Sequence, residues 1–168
     1  EALQVLCAVL LTDQKVTIHN IPDIQDVNKL ISLLENLGVK IQKLGKGTYS
    51  FQADDINIDY LKSDSFHTEG QALRGSIMIV GPLLTRFGVG YIPKPGGDKI
   101  GRRRLDTHFE GFIKLGAHFE YDENNFTYSV VAKKLKGSYM LLEEASITGT
   151  ANIIMAAILA EGTITIYN

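Results

Sequence analysis

Leu6-Cys7-Ala8-Val9-Leu10-Leu11, followed by Val16-Thr17-Ile18-His19-Asn20, returns near the other end of the chain. There Ile154-Met155-Ala156-Ala157-Ile158-Leu159 is followed by Ile164-Thr165-Ile166-Tyr167-Asn168. The two align without a gap: an apolar helix, a short polar turn and an alternating strand. A third copy lies between them, Ile79-Val80-Gly81-Pro82-Leu83-Leu84 followed by Val89-Gly90-Tyr91-Ile92. The copies are spaced by about 75 residues, longer than most solenoid units.

A second element repeats with the first. Leu33-Leu34-Glu35-Asn36-Leu37-Gly38-Val39-Lys40-Ile41 parallels Gly111-Phe112-Ile113-Lys114-Leu115-Gly116-Ala117-His118-Phe119. Each reads as an amphipathic helix closed by Leu-Gly, with the glycine left-handed, that drops into a strand. Hairpin signals follow, Leu44-Gly45-Lys46-Gly47 and Asp122-Glu123-Asn124-Asn125. The unit is therefore helix, strand, helix, strand, strand. The expected fold class is α/β, one domain built of pseudo-symmetric repeats at about 1–70, 71–145 and 146–168, the third only begun.

Lys plus Arg is 17 against 19 for Asp plus Glu, a net charge of −2. That opposes an extended nucleic-acid footprint, which needs a basic excess. Cys7 is the single cysteine, so no intrachain disulfide can form. The run from Ala2 to Leu11 is too short to span a membrane and lacks the flanks of a signal peptide. Glu1 opens on an apolar run without a cap and Asn168 closes inside a strand, so both ends read as cut from a longer protein.

The chemistry is concentrated between Arg74 and His108. Leu73-Arg74-Gly75-Ser76 is followed by Pro93-Lys94-Pro95-Gly96-Gly97-Asp98, then Ile100-Gly101-Arg102-Arg103-Arg104-Leu105-Asp106-Thr107-His108. A Pro-Gly-Gly loop offers free backbone N–H groups. A carboxylate beside guanidinium groups suits an anionic substrate that gains or loses a proton. On the residues alone, Asp98 also reads as a turn carboxylate bonded to its own backbone, and Arg102 to Arg104 as a solvated basic turn. Arg74 reads either as an anion ligand at a helix start or as a surface arginine lying over the core. Of Ser146, Thr148 and Thr150, at least one caps a helix expected to start near Ala151. Cys7 reads as core, His67 as part of a polar loop and His108 as a helix-surface histidine. His19, His67 and His118 have no metal-ligand spacing. Gly88-Val89-Gly90 is a strand, lacking the third glycine of a dinucleotide site.

Pro95-Gly96-Gly97-Asp98 with Ile100-Gly101 and Arg103 resembles the catalytic loop of the UDP-N-acetylglucosamine 1-carboxyvinyltransferases, a family of enolpyruvyl transferases. Arg74, Asp106, His108 and Ser146-Ile147-Thr148-Gly149-Thr150 also fall where that family has them, and the resemblance runs through essentially the whole chain. It implies a two-domain enzyme of the inside-out α/β barrel type, of which this chain is an incomplete domain, inactive alone. A Lys-Asn pair that binds phosphoenolpyruvate precedes the position of Glu1 in the family. The second domain supplies an aspartate base.

The implied substrates are phosphoenolpyruvate and UDP-N-acetylglucosamine in the bacterial cytoplasm, with no cofactor, metal, nucleic acid or membrane. Asp98 is then the proton donor, where most members carry Cys. Arg74, Arg103, Arg104, Leu105, Asp106, Thr107, Ser146, Ile147 and Thr148 are then substrate-binding, and Arg102 faces solvent. Arg104 replaces a usual Pro, and Glu144 stands where some members have a basic residue. The competing expectations are the sister transferase acting on shikimate 3-phosphate and a non-catalytic RNA-binding module. The Pro-Gly-Gly-Asp loop opposes the first and the net charge of −2 the second.

Overall fold

The structure is a computed structural model and describes residues 1–92, 105–122 and 127–167. It divides into two compact units, Glu1–Ile77 and the described residues from Met78 on. Asp98, Arg102, Arg103 and Arg104 lie outside the described residues.

In the first unit α1 (Ala2–Ala8) runs through a 3₁₀ turn into β1 (Val16–Ile18). Next come α2 (Gln25–Asn36) and the hairpin of β2 (Lys40–Gly45) and β3 (Thr48–Gln52). The sheet order is β1-β3-β2, antiparallel throughout, with Val16 opposite Phe51 and Ile41 opposite the same residue. Val27, Leu30, Leu33 and Leu34 recur at helical spacing on α2 and are all buried, as are Leu6, Leu10 and Phe51. One core thus lies between the helices and one face of the sheet.

The second unit repeats that plan. Here α4 (Val80–Phe87) precedes β4 (Val89–Ile92), and α5 (Asp106–Lys114) precedes β5 (His118–Asp122) and β6 (Thr127–Val131). The sheet order is β4-β6-β5, again antiparallel throughout. β7 (Tyr139–Leu141), α6 (Ile147–Ala157) and β8 (Thr165–Tyr167) follow, with β7 and β8 paired in parallel. Among the described residues the strands form three small separate sheets and no closed barrel.

Both Leu-Gly signals end their helices in one way. Gly38 (φ +108°) and Gly116 (φ +96°) are left-handed. The Val39 N–H donates to the Leu34 carbonyl at 2.9 Å and the Ala117 N–H to that of Phe112 at 3.0 Å. This is the six-residue closure that absorbs the last free carbonyls of a helix.

One segment departs from the sequence reading. His67 lies in a helix, α3 (Asp64–Gln71), preceded by a 3₁₀ turn over Ile58–Lys62. The Ser63 hydroxyl caps α3 by accepting from the Phe66 N–H at 3.1 Å. Tyr60 donates to Glu69 Oε2 at 2.8 Å, and Asn36 Nδ2 donates to Glu69 Oε1 at 2.8 Å. Polar ties to α2 and the preceding turn, with the fully buried Phe66, therefore hold a segment whose composition suggests a loop. Burial, and then the Glu69 carboxylate, push the Tyr60 phenol above its ordinary range.

Cys7 is fully buried in α1, and that burial pushes its thiol above the ordinary range. The native chain is expected to react with an aromatic disulfide at pH 8 far more slowly than the urea-unfolded chain. A raised acid pKa stabilises the fold fully below the unfolded value, about 8.5, and that contribution is lost as pH rises beyond it. The melting temperature should accordingly fall between about pH 8 and 10. Rapid native labelling would place Cys7 at the surface instead.

Candidate functional site

Arg74 belongs to the first unit and the other described candidates to the second. Arg74 is half-buried and opens a 3₁₀ stretch, Arg74–Ile79, that continues directly into α4. Two contacts fix the chain around it. The buried Ser76 hydroxyl donates to the Gly70 carbonyl at 2.9 Å, and Lys29 Nζ donates to the Ala72 carbonyl at 3.1 Å.

In the second unit the first turns of α5 and α6 are packed together. Helix α6 begins at Ile147, earlier than the expected start near Ala151, because Ser146 is its cap. The Ser146 hydroxyl accepts from the Gly149 N–H at 3.1 Å. A Cβ on Gly149 would lie 2.8 Å from Thr107 Cγ2 and 2.9 Å from Ser146 Oγ, so the absent side chain admits Thr107. Thr107 is buried, Leu105, Asp106 and Ser146 half-buried, and Ile147 and Thr148 exposed. Two helix N-termini, each carrying the partial positive charge of its helix dipole, thus converge beside the same surface.

Asp106, Thr107, Glu110, Glu143 and Glu144 line a pocket of about 120 Å³ there. Thr107 Oγ1 reaches Glu144 Oε1 at 3.5 Å. The four acidic residues that line it favour a ligand face that donates hydrogen bonds, an N–H or hydroxyl, over an anionic one. Glu110 and Glu143 were not among the sequence candidates. Their signal was the Glu143-Glu144 doublet just before the capping serine, with Glu110 one turn after Asp106.

His108 corrects the sequence reading. It is 2% exposed and lies inside the unit, not on a helix surface. Its Nδ1 is 3.0 Å from Asn152 Nδ2, and Asn152, fully buried on α6, accepts the Gly81 N–H of α4 at 2.9 Å. One amide side chain therefore ties α4, α5 and α6 together. No group of His, Cys, Asp and Glu able to hold a metal occurs among the described residues. No described helix is long and apolar enough to cross a membrane.

Known proteins sharpen this picture. The family model for EPSP synthase (3-phosphoshikimate 1-carboxyvinyltransferase) matches residues 1–168. The chain is 59% identical over its whole length to the UDP-N-acetylglucosamine 1-carboxyvinyltransferase of Bacteroides thetaiotaomicron, and 58% to that of Porphyromonas gingivalis. It spans 39% of the length of each. Among solved structures, the enolpyruvyl transferase NikO from Streptomyces tendae superposes with a TM-score of 0.76 at 14% identity, over 98% of this chain and 37% of that one. EPSP synthase from Acinetobacter baumannii superposes at 0.70 and 14% identity, over 99% of this chain and 38% of that one. The fold is thus that of the enolpyruvyl transferases, and the chain belongs to the EPSP synthase (3-phosphoshikimate 1-carboxyvinyltransferase) family.

Proposed function

We propose that this chain is part of a carboxyvinyl transferase that moves the enolpyruvyl group of phosphoenolpyruvate onto the 3-hydroxyl of UDP-N-acetylglucosamine. Phosphate is released, and the product is committed to peptidoglycan, in the bacterial cytoplasm. The observation that carries this reading is 56–59% identity, end to end, with relatives of that name. The likeness to EPSP synthase of Acinetobacter baumannii stands at 14% and speaks to fold alone.

In this reading the chain is most of one domain of repeated units, and a second domain of the same protein completes the site. The sugar hydroxyl attacks carbon 2 of phosphoenolpyruvate as Asp98 delivers a proton to carbon 3. The hydroxyl proton passes to the base of the second domain. The tetrahedral intermediate then loses phosphate and a carbon 3 proton, which restores the double bond. Arg103 and Arg74 neutralise the anionic substrate, the kind of fixed electrostatic support that supplies much of catalysis. Arg104 and the turn Leu105–Thr107, together with Ser146, Ile147 and Thr148, hold the sugar nucleotide. The carboxylate-lined pocket suits its neutral, donor-bearing end, while the helix N-termini beside it suit phosphate.

Phosphate release tests the assignment. The intact enzyme is expected to turn over phosphoenolpyruvate with UDP-N-acetylglucosamine and to ignore shikimate 3-phosphate. The 168-residue chain alone should show no turnover, because catalysis requires the reacting groups to be held together. Turnover with shikimate 3-phosphate in preference would overturn the substrate, and turnover by the chain alone would overturn the two-domain site.

A further inference from the structure

The buried amide of Asn152 has no part in the chemistry above, yet its contacts to Gly81 and His108 determine a protonation pattern next to the proposed substrate turn. A backbone N–H can meet only an acceptor, so the 2.9 Å contact from the Gly81 N–H fixes which side of the amide carries the oxygen. Nδ2 is then the donor to His108 Nδ1 at 3.0 Å. A ring nitrogen that accepts carries no proton, so the ring is neutral with its hydrogen on Nε2. Neither residue has water to substitute for the other, with Asn152 at 0% and His108 at 2% exposure. The two residues are 44 positions apart, and His108 directly follows Thr107.

We propose that Asn152 is a positioning residue for the turn Leu105–Thr107. It locks His108 as the Nε2–H tautomer, and with it the first turn of α5 against α6, so that the sugar-nucleotide surface is preformed. The same amide also accepts from the N–H of Gly81, the second residue of α4, so that helix is held by it as well. The three helices therefore share one registration point. The proposal rests on the proposed function for its kinetic arm only.

The experiment has two arms. In ¹⁵N-histidine-labelled chain, His108 should show an unprotonated Nδ1 and a protonated Nε2. In Asn152→Asp, which keeps the shape but presents an acceptor to Nδ1, that nitrogen should become protonated. In the intact enzyme, Asn152→Asp should raise KM for UDP-N-acetylglucosamine about tenfold and change kcat less than about threefold, the pattern of lost binding common to ground and transition states. His108→Gln, whose amide oxygen can still accept from Asn152, should keep KM close to wild type, and it serves as the test if Asn152→Asp does not fold. A wild-type Nδ1 that carries the proton would overturn the proposal. So would an unchanged KM in Asn152→Asp, or a KM in His108→Gln raised as far as in His108→Leu. Absence of any turnover of the sugar nucleotide by the wild-type enzyme would instead sink the transferase reading, leaving the tautomer arm to decide the lock.

Discussion

Gly81→Ala is expected to destabilise the chain by about 2–4 kcal/mol, a large fraction of the 5–15 kcal/mol that holds an ordinary domain together. An added Cβ would stand 2.3 Å from the Asn152 backbone oxygen and 2.5 Å from its Oδ1. The first is backbone and the second belongs to a fully buried side chain, so α4 must move away from α6. Overpacking of this kind costs about 1–3 kcal/mol. The displaced Gly81 N–H also loses its buried acceptor, worth a further 1–3 kcal/mol or so. Against this, alanine gains about 1 kcal/mol over glycine in a helix. The clash wins. Gly45→Ala is the control, since nothing lies within 4 Å of its Cβ and the change should stay within about 0.5 kcal/mol. Equal urea midpoints for the two variants would mean that the α4–α6 contact is loose.

Asp98→Asn in the intact enzyme should lower turnover about 10²- to 10⁴-fold, the range for loss of a general acid. Asp98 lies outside the described residues, and the expectation rests on the Pro95-Gly96-Gly97-Asp98 motif and the chemistry proposed above. An amide keeps the shape but cannot deliver a proton to carbon 3. Asp98→Cys should stay active, because a thiol can. It should also become sensitive to alkylating epoxides that leave the wild type active, since a carboxylate is the weaker nucleophile and Cys7 is buried. Activity assays and intact-mass measurement after epoxide treatment distinguish the cases. A covalent adduct with inactivation of the wild type, or near-normal turnover by Asp98→Asn, would remove Asp98 as the acid.

What could be read in advance was whatever local chemistry decides. The Leu37-Gly38 and Leu115-Gly116 signals ended helices because only the left-handed glycine permits that closure. The alternation in Val16–Ile18 and Val89–Ile92 gave strands for a similarly local reason. α3 escaped notice because it buries one large side chain, Phe66, and its other ties come from Asn36, Tyr60 and Ser63, so no apolar stripe runs along it. At the site, a cap was legible among Ser146, Thr148 and Thr150, but not that Ser146 would serve and start the helix at Ile147. His108 looked like a surface residue because its partner is 44 residues away, and no local pattern announces a long-range amide. The pocket wall has the same origin, since Asp106 and Glu144 meet only when α5 and α6 pack.

In both three-stranded sheets the central strand is the last one made. β1 ends at Ile18, but its partner β3 begins only at Thr48. β4 likewise ends at Ile92 and waits for β6 at Thr127. On a ribosome adding 5–20 residues per second, the roughly 30-residue gap leaves each first strand without its hydrogen-bonding partner for about 1.5–6 s. A nascent chain therefore cannot zip its sheets from the N-terminus onward. Each sheet must close retroactively, when the returning arm of a hairpin slots between two strands already synthesised. Rare codons or a pause placed just before Thr48 or Thr127 would prolong the interval in which an apolar edge lies open to chaperones or to another nascent chain.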